Sequence, residues 1–444
     1  CDNSIVWNQA VSYGPAVIAT TDPMDTGFNH DLPLWGINLQ KLLIMGPGSD
    51  LSADSKSPPE ALKLVRMMNV SLGRVEGCIL KGGTVHVSGG PWAIRQNRHD
   101  GPLAGTFAYD AFAVMRPFDL IVEANRVEPL SNSGKLWLFL TLTHHGTNIS
   151  VRGNLVRRTG PMKDDTIDNM NANEIFLTES YRIRFEGEPA NISPDGSVVM
   201  LPSAMAEPPQ PGDCVSILTG ANAGKFHVVR QSLGNGSLWI EPPLDPKDRS
   251  INPPAISVSQ GFKGMAVDRN TIDATGSDTA FNMVLAGNHF GTVITGNTLI
   301  GGGESLRLTA FPTEFPNIWG WSHVPMFGIV IRDNTISDAA KPGRLAVDQG
   351  EKIKTSQGRV YYSAELTDNV IEASLEGAGL QIGDPGTLDP KSLQLRISGN
   401  QGKSGDPEIH VISGSVNGRV MENTRIPIST GNSMRASDRR TINR

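Results

Sequence analysis

The stretch Ile294-Thr295-Gly296-Asn297-Thr298-Leu299 decides the fold, because variants of it recur through the C-terminal half of the chain. In each copy a short apolar strand ends at an Asn and a second strand follows. Other copies are centred on Asn270, Asn334 and Asn369, with weaker ones ending at Asn400 and Asn423. Successive copies lie 23 to 37 residues apart. A strand-like repeat of this length and variable spacing predicts a β-helix, in which loops vary in length and the core repeats.

The composition agrees with many short strands joined by tight turns. The 444 residues include 48 Gly and 30 Pro, an excess that disfavours a helical protein. Between the Asn copies lies a second set of apolar segments, such as Met283-Val284-Leu285 and Leu306-Arg307-Leu308. Stacked coils would place each Asn over the next, where side-chain amides can hydrogen-bond along the stack. We therefore interpret the repeated Asn residues as structural and not catalytic.

One stretch departs from the repeat. Between about 184 and 262, turn sequences such as Leu233-Gly234-Asn235-Gly236-Ser237 lie between short apolar runs and predict hairpins. The sequence thus predicts an all-β chain, a right-handed parallel β-helix with a small inserted β-barrel-like module. The predicted segments are the N-terminal part of the β-helix at 1–183, the inserted module at 184–262, the C-terminal part of the β-helix at 263–424 and a polar tail at 425–444.

Charge and cysteine content limit the partners and the compartment. The net charge of −6 provides no broad basic field for nucleic acid, and no apolar run reaches the ~18 residues that span a bilayer. Three cysteines without CxxC spacing predict neither a zinc site nor a disulfide framework. We expect a secreted protein, extracellular or periplasmic, with lipoprotein attachment through Cys1 as an alternative. Assembly into a homo-oligomer is compatible with this class of protein.

Candidate site residues emerge from equivalent positions in successive coils. The segment ending in His144-His145 parallels the segment ending in Asn288-His289, and each leads into its own Gly-Asn. The following coils carry His323, and then Arg359 and Tyr361, at similar distances before the Asn. Because adjacent coils are only ~4.8 Å apart, we expect these side chains to line one strip of the wall.

The longest repeats add further polar and aromatic groups in their loops. Tryptophan rings pack on sugar C–H surfaces, and charged groups bind hydroxyls or carboxylates. The sequence therefore favours a carbohydrate site. The substrate-binding candidates are Arg307, His289, His145, Glu314, Trp319 and Trp321.

The repeats around Asn297 resemble those of the pectate-lyase-like superfamily of parallel β-helices, over most of the chain outside the insert. This resemblance implies a secreted enzyme that acts on acidic polysaccharides in a groove on one face of the helix. The chain lacks the Asn-Thr-Asp, Gly-His-Gly and Arg-Ile-Lys set of the polygalacturonase-like hydrolases. It also lacks a convincing cluster of calcium-binding aspartates like that of typical pectate lyases. We therefore expect no cofactor, and Ca²⁺ stays open as an alternative that no motif supports.

Among members of the superfamily without these patterns, some lyases that are similar to alginate lyases use Lys, Arg, His or Tyr. The resemblance to the superfamily identifies no subfamily, and our hypothesis is a lyase that cleaves a uronate-containing glycan by β-elimination. In this hypothesis Tyr361 or His323 acts as base and acid, and Lys354 and Arg359, with Arg307, neutralise the substrate carboxylate. Nearby cations would then lower the pKa of the Tyr361 phenol. Two alternatives stay open. One is an inverting glycoside hydrolase, and the other is a non-catalytic glycan-binding or tailspike-like adhesion solenoid. The carboxylates available to the hydrolase are Asp333, Asp348 and Glu314.

Overall fold

A computed structural model describes the protein in segments, and every regular element within them is a β-strand. The all-β fold predicted from the sequence is confirmed. The described residues are 3–6, 16–19, 34–45, 63–101, 107–128, 135–157, 174–202, 208–245, 253–275, 277, 279–310, 324–348, 358–375, 378–383, 393–403, 409–411 and 428–430.

Three long parallel sheets form the solenoid, and each complete coil contributes strands to sheet B, sheet C and sheet A in that order. Sheet A contains β1 (Asn3–Val6), β5 (Leu42–Met45), β8 (Ile79–Lys81), β11 (Arg98–His99), β14 (Arg126–Val127), β17 (Leu155–Arg157), β27 (Thr271–Ala274), β31 (Thr298–Gly301), β34 (Thr335–Ser337), β37 (Val370–Ile371) and β40 (Gln401–Gly402). Sheet B contains β2 (Ala16–Ala19), β3 (Leu34–Trp35), β6 (Lys63–Ser71), β9 (Thr84–Gly89), β12 (Phe107–Met115), β15 (Lys135–Thr143), β18 (Glu174–Ser180), β28 (Phe281–Gly287), β32 (Glu304–Ala310), β35 (Gly343–Asp348), β38 (Leu380–Ile382), β41 (Ile409–Val411) and β42 (Ile428–Thr430). Sheet C contains β4 (Asn38–Gln40), β7 (Gly73–Glu76), β10 (Trp92–Arg95), β13 (Phe118–Glu123), β16 (Gly146–Arg152), β26 (Phe262–Asp268), β29 (His289–Phe290), β30 (Val293–Thr295), β33 (Met326–Arg332), β36 (Tyr362–Thr367) and β39 (Leu393–Ser398).

The repeated Asn lies at the turn between sheet C and sheet A and forms a continuous ladder. The side-chain Nδ2 of Asn297 donates to Oδ1 of Asn334, 3.0 Å away, and also to the main-chain oxygen of Val267 at 2.9 Å. The predicted structural role of these Asn residues is confirmed, because each buried amide is satisfied by its neighbours. The ladder comprises Asn97, Asn125, Asn154, Asn270, Asn297, Asn334, Asn369 and Asn400.

The core follows from the period-two alternation of the strands, which places every second side chain inside the coils. A single apolar cluster extends from Ile44 to Ile409. A smaller apolar cluster, which includes Leu177 and Val284, lies apart from it. Both residues fall on the outer side of sheet B, because their neighbours Phe176 and Met283 belong to the main core.

The residues between β18 and β26 form an antiparallel sheet, sheet D, with a hydrophobic core of its own. β22 and β23 pair antiparallel, as the predicted hairpins require. The first and last strands also pair, with Ile183 opposite Ser259, so the two connections to the solenoid lie side by side. We call this unit the inserted module. Its strands are β19 (Ile183–Gly187), β20 (Asn191–Ile192), β21 (Val198–Met200), β22 (Cys214–Ile217), β23 (Phe226–Gly234), β24 (Ser237–Glu241) and β25 (Ile256–Ser259).

The inserted module packs lengthwise on the C-terminal coils. The ring of Phe226 lies 5.3 Å from that of Phe290, and Ser363 Oγ donates to the main-chain oxygen of Gly224 at 2.8 Å. The main-chain NH of Val360 donates to the oxygen of Leu218 at 2.7 Å. These contacts seat the module on the solenoid over several coils.

Candidate functional site

A cavity of about 310 Å³ opens at the corner where sheet B turns into sheet C, beneath the inserted module. We call it the corner cavity. The coils supply one wall and the module supplies the other. Functional side chains commonly lie in such a cleft between two structural units. The lining residues with polar or charged side chains are Arg116, His145, Thr147, Lys263, Gln210, Asp213 and Gln260.

Local backbone geometry explains how the basic residues reach this corner. Met115, Thr143 and Glu179 are in register in neighbouring strands of sheet B, and the chain turns immediately after them. Arg116 and His144, the first residues of these turns, have φ angles of 49° and 76°. The left-handed region disfavours residues with a Cβ by roughly 1–2 kcal/mol. Their strained positions therefore hold these two side chains at the corner at some expense of stability.

His145 is the sequence-predicted residue that lines the corner cavity. Burial, followed by the charges of Lys263, Arg116 and His144, lowers its pKa to about 4. Its buried Nδ1 has no hydrogen-bond partner among the described residues. The imidazole is therefore neutral at neutral pH, and a ring nitrogen faces no competing protein group.

The opposite wall is held by one polar contact between the solenoid and the module and by one within the module. Lys263 Nζ donates to the main-chain oxygen of Gly212 at 2.5 Å. Arg184 Nε lies 2.5 Å from Asp213 Oδ2, and both side chains are at most 5% exposed. Burial raises the pKa of Asp213, and the hydrogen bond from the Gln210 main-chain NH and the charge of Arg184 oppose that shift. The buried pair fixes the position of the module's turn over the cavity.

The corner is electropositive because several basic groups lie close to one another. Burial and the charge of Arg182 lower the pKa of the Arg116 guanidinium. Burial and the charges of Arg116 and Arg182 lower the pKa of the His144 imidazole. Neighbouring like charges of this kind disfavour the protonated forms, and a bound anion relieves that repulsion. The chemistry of the corner cavity therefore suits a negatively charged ligand.

Carboxyl groups form a second cluster, near the apolar cluster outside sheet B. Burial raises the pKa of Asp110 to about 7, with the charge of Glu179 adding to the shift and a hydrogen bond from Thr141 opposing it. Burial and the charge of Glu174 raise the pKa of Glu179. A carboxyl group with a pKa near 7 can serve as a proton donor at neutral pH.

The prediction that His289 shares an exposed strip with Arg359 and Tyr361 is wrong. His289 is in register with Gly146, one position further along than His145, and a one-residue slip in a strand reverses the face. Its ring is 0% exposed, is hydrogen-bonded to Thr178 and Thr292, and has a pKa lowered by burial to about 3. His289 is a core residue and cannot contact a substrate.

Tyr361 and Arg359 do lie together, but they bind the inserted module. The Tyr361 hydroxyl donates to Glu186 Oε1 at 2.7 Å, and Arg359 Nη1 lies 2.7 Å from the same oxygen. Tyr361 is 1% exposed. Burial and the charge of Glu186 raise its pKa, with Arg359 opposing, so the expected lowering was wrong. Tyr361 is four coils away from His145, on the order of 20 Å.

Arg307 forms hydrogen bonds within its own coil. Its guanidinium donates to both carboxylate oxygens of Glu304, at 2.8 and 2.6 Å, and lies 4.4 Å from the ring centre of Phe281. The charge predicted to meet a substrate carboxylate is thus already paired.

The remaining candidates are only partly described. Asp333 occupies an exposed turn with a φ of 55°, and for Asp348 only the strand is described. Five candidates lie outside the described residues: His323, Lys354, Glu314, Trp319 and Trp321.

Sequence reasoning missed Arg116, Lys263 and Arg182. The signal for Arg116 was available, because a basic residue stands there at a turn where the preceding and a following coil use Gly89 and Gly287. Lys263 and Arg182 flank the inserted module, and Lys263 lies near His145 because the coils stack across the module, with Lys263 in register with Thr147.

The residues that the structure describes include no group of three His, Cys, Asp or Glu arranged to hold a metal ion. None of their elements is a helix with the length and hydrophobicity of a membrane span. No protein-family model matches the chain, and no curated protein is significantly similar to it.

Proposed function

We propose that the protein is a polysaccharide lyase that cleaves a uronate-containing glycan by β-elimination in the corner cavity. The observation that carries the proposal is a neutral imidazole, His145, in one cavity with Arg116 and Lys263. β-Elimination needs a base beside cations, because the proton leaves a carbon next to a carboxylate and the developing enolate must be stabilised.

In this reaction Arg116 and Lys263 face the carboxylate at C6 of the uronate, and His145 accepts the proton from C5. The C5–H electron pair forms the C4–C5 double bond, and the C4–O4 bond breaks with its electrons on the leaving oxygen. That oxygen takes up a proton, for which the His145 imidazolium is the nearest donor. No water is consumed, and the product is an unsaturated uronate.

Substrate binding should improve His145 as a base. An imidazole with a pKa of about 4 is a weak base. A carboxylate bound beside it would favour the imidazolium and raise that pKa towards neutrality. The rate constant kcat should therefore rise with pH through a higher pKa than kcat/KM does, because kcat/KM reports the free enzyme.

The stacked parallel coils support membership of the pectate-lyase-like superfamily, which the repeats in the sequence suggest. In that superfamily the glycan lies along the outside of the helix. An enzyme acting on such polymers would work outside the cytoplasm, which agrees with the proposed secretion.

A second candidate is favoured by the carboxyl cluster. Asp110, with a pKa of about 7, could protonate a leaving oxygen, and Glu179 could activate a water molecule as in an inverting glycoside hydrolase. This site would lie beside the corner cavity, because His144 NH donates to the main-chain oxygen of Glu179 at 2.9 Å.

Incubation with a panel of uronate polymers separates these reactions. The lyase produces ultraviolet absorbance from the conjugated double bond, and His145→Gln should lower it by roughly 10²–10⁴-fold. New reducing ends without absorbance, lost in Asp110→Asn, would establish hydrolysis instead. Arg269→Gln is a matched control. Arg269 is exposed, does not line the cavity, and pairs with Asp268 at a distance of 2.7 Å. Binding without either product would reduce the protein to a glycan-binding solenoid and contradict the proposal.

A further inference from the structure

The inserted module covers the outer face of the solenoid on one side of the corner cavity. At the edge of the cavity the main-chain oxygen of Gly212 accepts a hydrogen bond from Lys263 Nζ at 2.5 Å. In the next coil, the ring of Phe226 lies 5.3 Å from that of Phe290, which is in register with Lys263. The module thus begins at the cavity and continues towards the C-terminal coils.

The same cover extends over the coils that follow. A Cβ on Gly328 would lie 3.5 Å from the ring of Phe226, and the main-chain oxygen of Gly224 accepts a hydrogen bond from Ser363 Oγ at 2.8 Å. A Cβ on Gly224 would also collide with the side chain of Gln394, which is in register with Ser363 in the following coil. A polymer in the cavity therefore has no path along this face towards the C-terminal coils.

Towards the N-terminal coils the cavity is open. Phe118 lines the cavity and is 44% exposed, and its in-register neighbour Thr147 is exposed as well. The volume of about 310 Å³ lies at the lower end of the range of ~300–1,000 Å³ that is usual for small-molecule sites. The cavity formed by the described residues is thus a pocket with one mouth, and it holds a short piece of a ligand.

We propose that the corner cavity receives the reducing end of a uronate chain and that the enzyme acts exolytically, removing one sugar at a time. The carboxylate of the terminal sugar faces Arg116 and Lys263, and the next sugar packs on the exposed ring of Phe118 at the mouth, as sugar C–H surfaces do on aromatic rings. This inference deepens the proposed lyase and rests on it for the reaction, but recognition of the chain end is measurable without turnover.

The direction of the chain follows from the bond that breaks. The sugar in the cavity loses its C5 proton to His145, the C5–H electron pair forms the C4–C5 double bond, and the C4–O4 bond breaks. Because O4 joins this sugar to the rest of the chain, the rest must leave through the open mouth. The blocked side then faces C1, which makes this sugar the reducing end. The products are an unsaturated monouronate and a chain that is one sugar shorter, whose new terminal oxygen takes up the proton.

Recognition of the chain end is tested with octadecamers of galacturonate and of mannuronate. The protein is His145→Gln, in which slow turnover preserves the probes. Calorimetric titration should give one protein per chain, because each chain has one reducing end. Borohydride reduction opens the terminal ring and changes one sugar of eighteen, yet it should weaken binding by about tenfold or more. Several proteins per chain, or equal affinity for the reduced octadecamer, would overturn recognition of the end.

Phe118→Ala tests the mouth of the cavity. Loss of the ring should weaken binding of the octadecamer by about tenfold, whereas Trp239→Ala should change it by less than about twofold. Trp239 is a matched control, because its ring is 45% exposed on the inserted module and does not line the cavity. Circular dichroism confirms that each variant is folded. Unchanged binding in Phe118→Ala would overturn the assigned mouth and with it the direction of the chain.

Products of the wild type separate this inference from the proposed reaction. Mass spectrometry at early times should find a monouronate that is one water lighter than the free uronic acid. If one protein binds per chain but no unsaturated product forms, recognition of the end stands and the proposed reaction fails. If unsaturated products of many sizes form from the start, the reaction stands and exolytic action fails. If neither octadecamer binds, both are overturned.

Discussion

Asn154 Nδ2 donates to Asn270 Oδ1 at 2.8 Å, although the two residues are 116 positions apart in sequence and the whole inserted module lies between them. The Asn ladder thus crosses the insertion without a break, and β17 pairs directly with β27. Because the coils before and after the module stack as ordinary neighbours, the basic residues on both sides of it reach one corner. The position of the candidate site depends on this continuity.

Replacement of Asn270 by Ala should destabilise the protein strongly. The change leaves the main-chain NH of Asn154 and the oxygen of Val151 without the partner that Asn270 provides, and it removes one of the hydrogen bonds of Asn154 Nδ2 and of Asn297 Oδ1. Each buried polar group left unsatisfied costs about 1–3 kcal/mol, so we expect a loss of roughly 2–4 kcal/mol. Urea denaturation measures it. Asn38→Ala, at an exposed strand position, should change stability by less than about 0.5 kcal/mol, and equal effects would contradict the ladder's role.

Gly287 should tolerate no side chain at the point where the first coil after the module rejoins the stack. It has a φ of 88°, and an added Cβ would collide with the main-chain oxygen of Ser180. Gly153 has a φ of 61° but open space around it. Gly153→Ala should therefore cost about 1 kcal/mol from backbone strain alone, whereas Gly287→Ala should cost several times more. Similar melting temperatures for the two variants would show that the collision is relieved cheaply.

Tyr361→Phe tests whether this residue is an anchor or a base. Without its hydroxyl, Glu186 Oε1 loses one of two hydrogen bonds, and we expect a loss of about 1–3 kcal/mol in stability. Hydrogen exchange should increase in β19 and its neighbours. Activity on uronate polymers should stay within about threefold of the wild type, because His145 is far away. A loss of the size expected for a general base, ~10²-fold or more, would restore Tyr361 as a catalytic candidate.

The stability should fall in acid because of two core histidines. The pKa values of His99 and His289 are lowered by burial to about 4 and about 3. Below about pH 6.5 the unfolded chain binds protons at these sites that the folded protein does not, so the free energy of unfolding decreases as the pH falls from 6.5 to 4. Each histidine contributes up to ~1.4 kcal/mol per pH unit.

Urea midpoints at pH 7.5, 5.5 and 4.5 measure this slope, which should be shallower in His289→Gln and His99→Gln. The raised pKa of Asp110 changes the free energy of unfolding in the opposite direction. The folded protein binds this proton more tightly than the unfolded chain does, so its contribution to stability is lost as the pH rises towards 7. For this reason the slopes of the variants are compared with that of the wild type. Parallel slopes would show that the two histidines are not responsible.

The architecture was predictable because it repeats. The repeated segment that ends in Asn lies at the turn between sheets C and A in coil after coil, so each copy independently supports the β-helix. The confirmed Asn ladder is formed by the same residues. The candidate site was harder to predict from the sequence. The alignment of the His145 segment with the His289 segment contains a slip of one residue, and in a strand that slip exchanges inside for outside. His145 lines the corner cavity, whereas His289 lies buried in the core.

The error at Tyr361 had a different origin. Its hydrogen-bond partner Glu186 lies 175 residues away in sequence and belongs to the inserted module. No pattern within the repeats indicates where a module of foreign topology will dock. The pKa shift therefore had the opposite sign to that expected from nearby basic residues. The same docking brings Asp213 over the cavity and could not be anticipated.

The paired first and last strands of the inserted module, with Ile183 opposite Ser259, have an evolutionary consequence. A unit that closes its own ends and is joined to the coils through two adjacent links can be exchanged as a cassette while the coils remain as they are. Since this unit contributes Gln210 and Asp213 to one side of the corner cavity, a different cassette would change the lining of that cavity on the same scaffold.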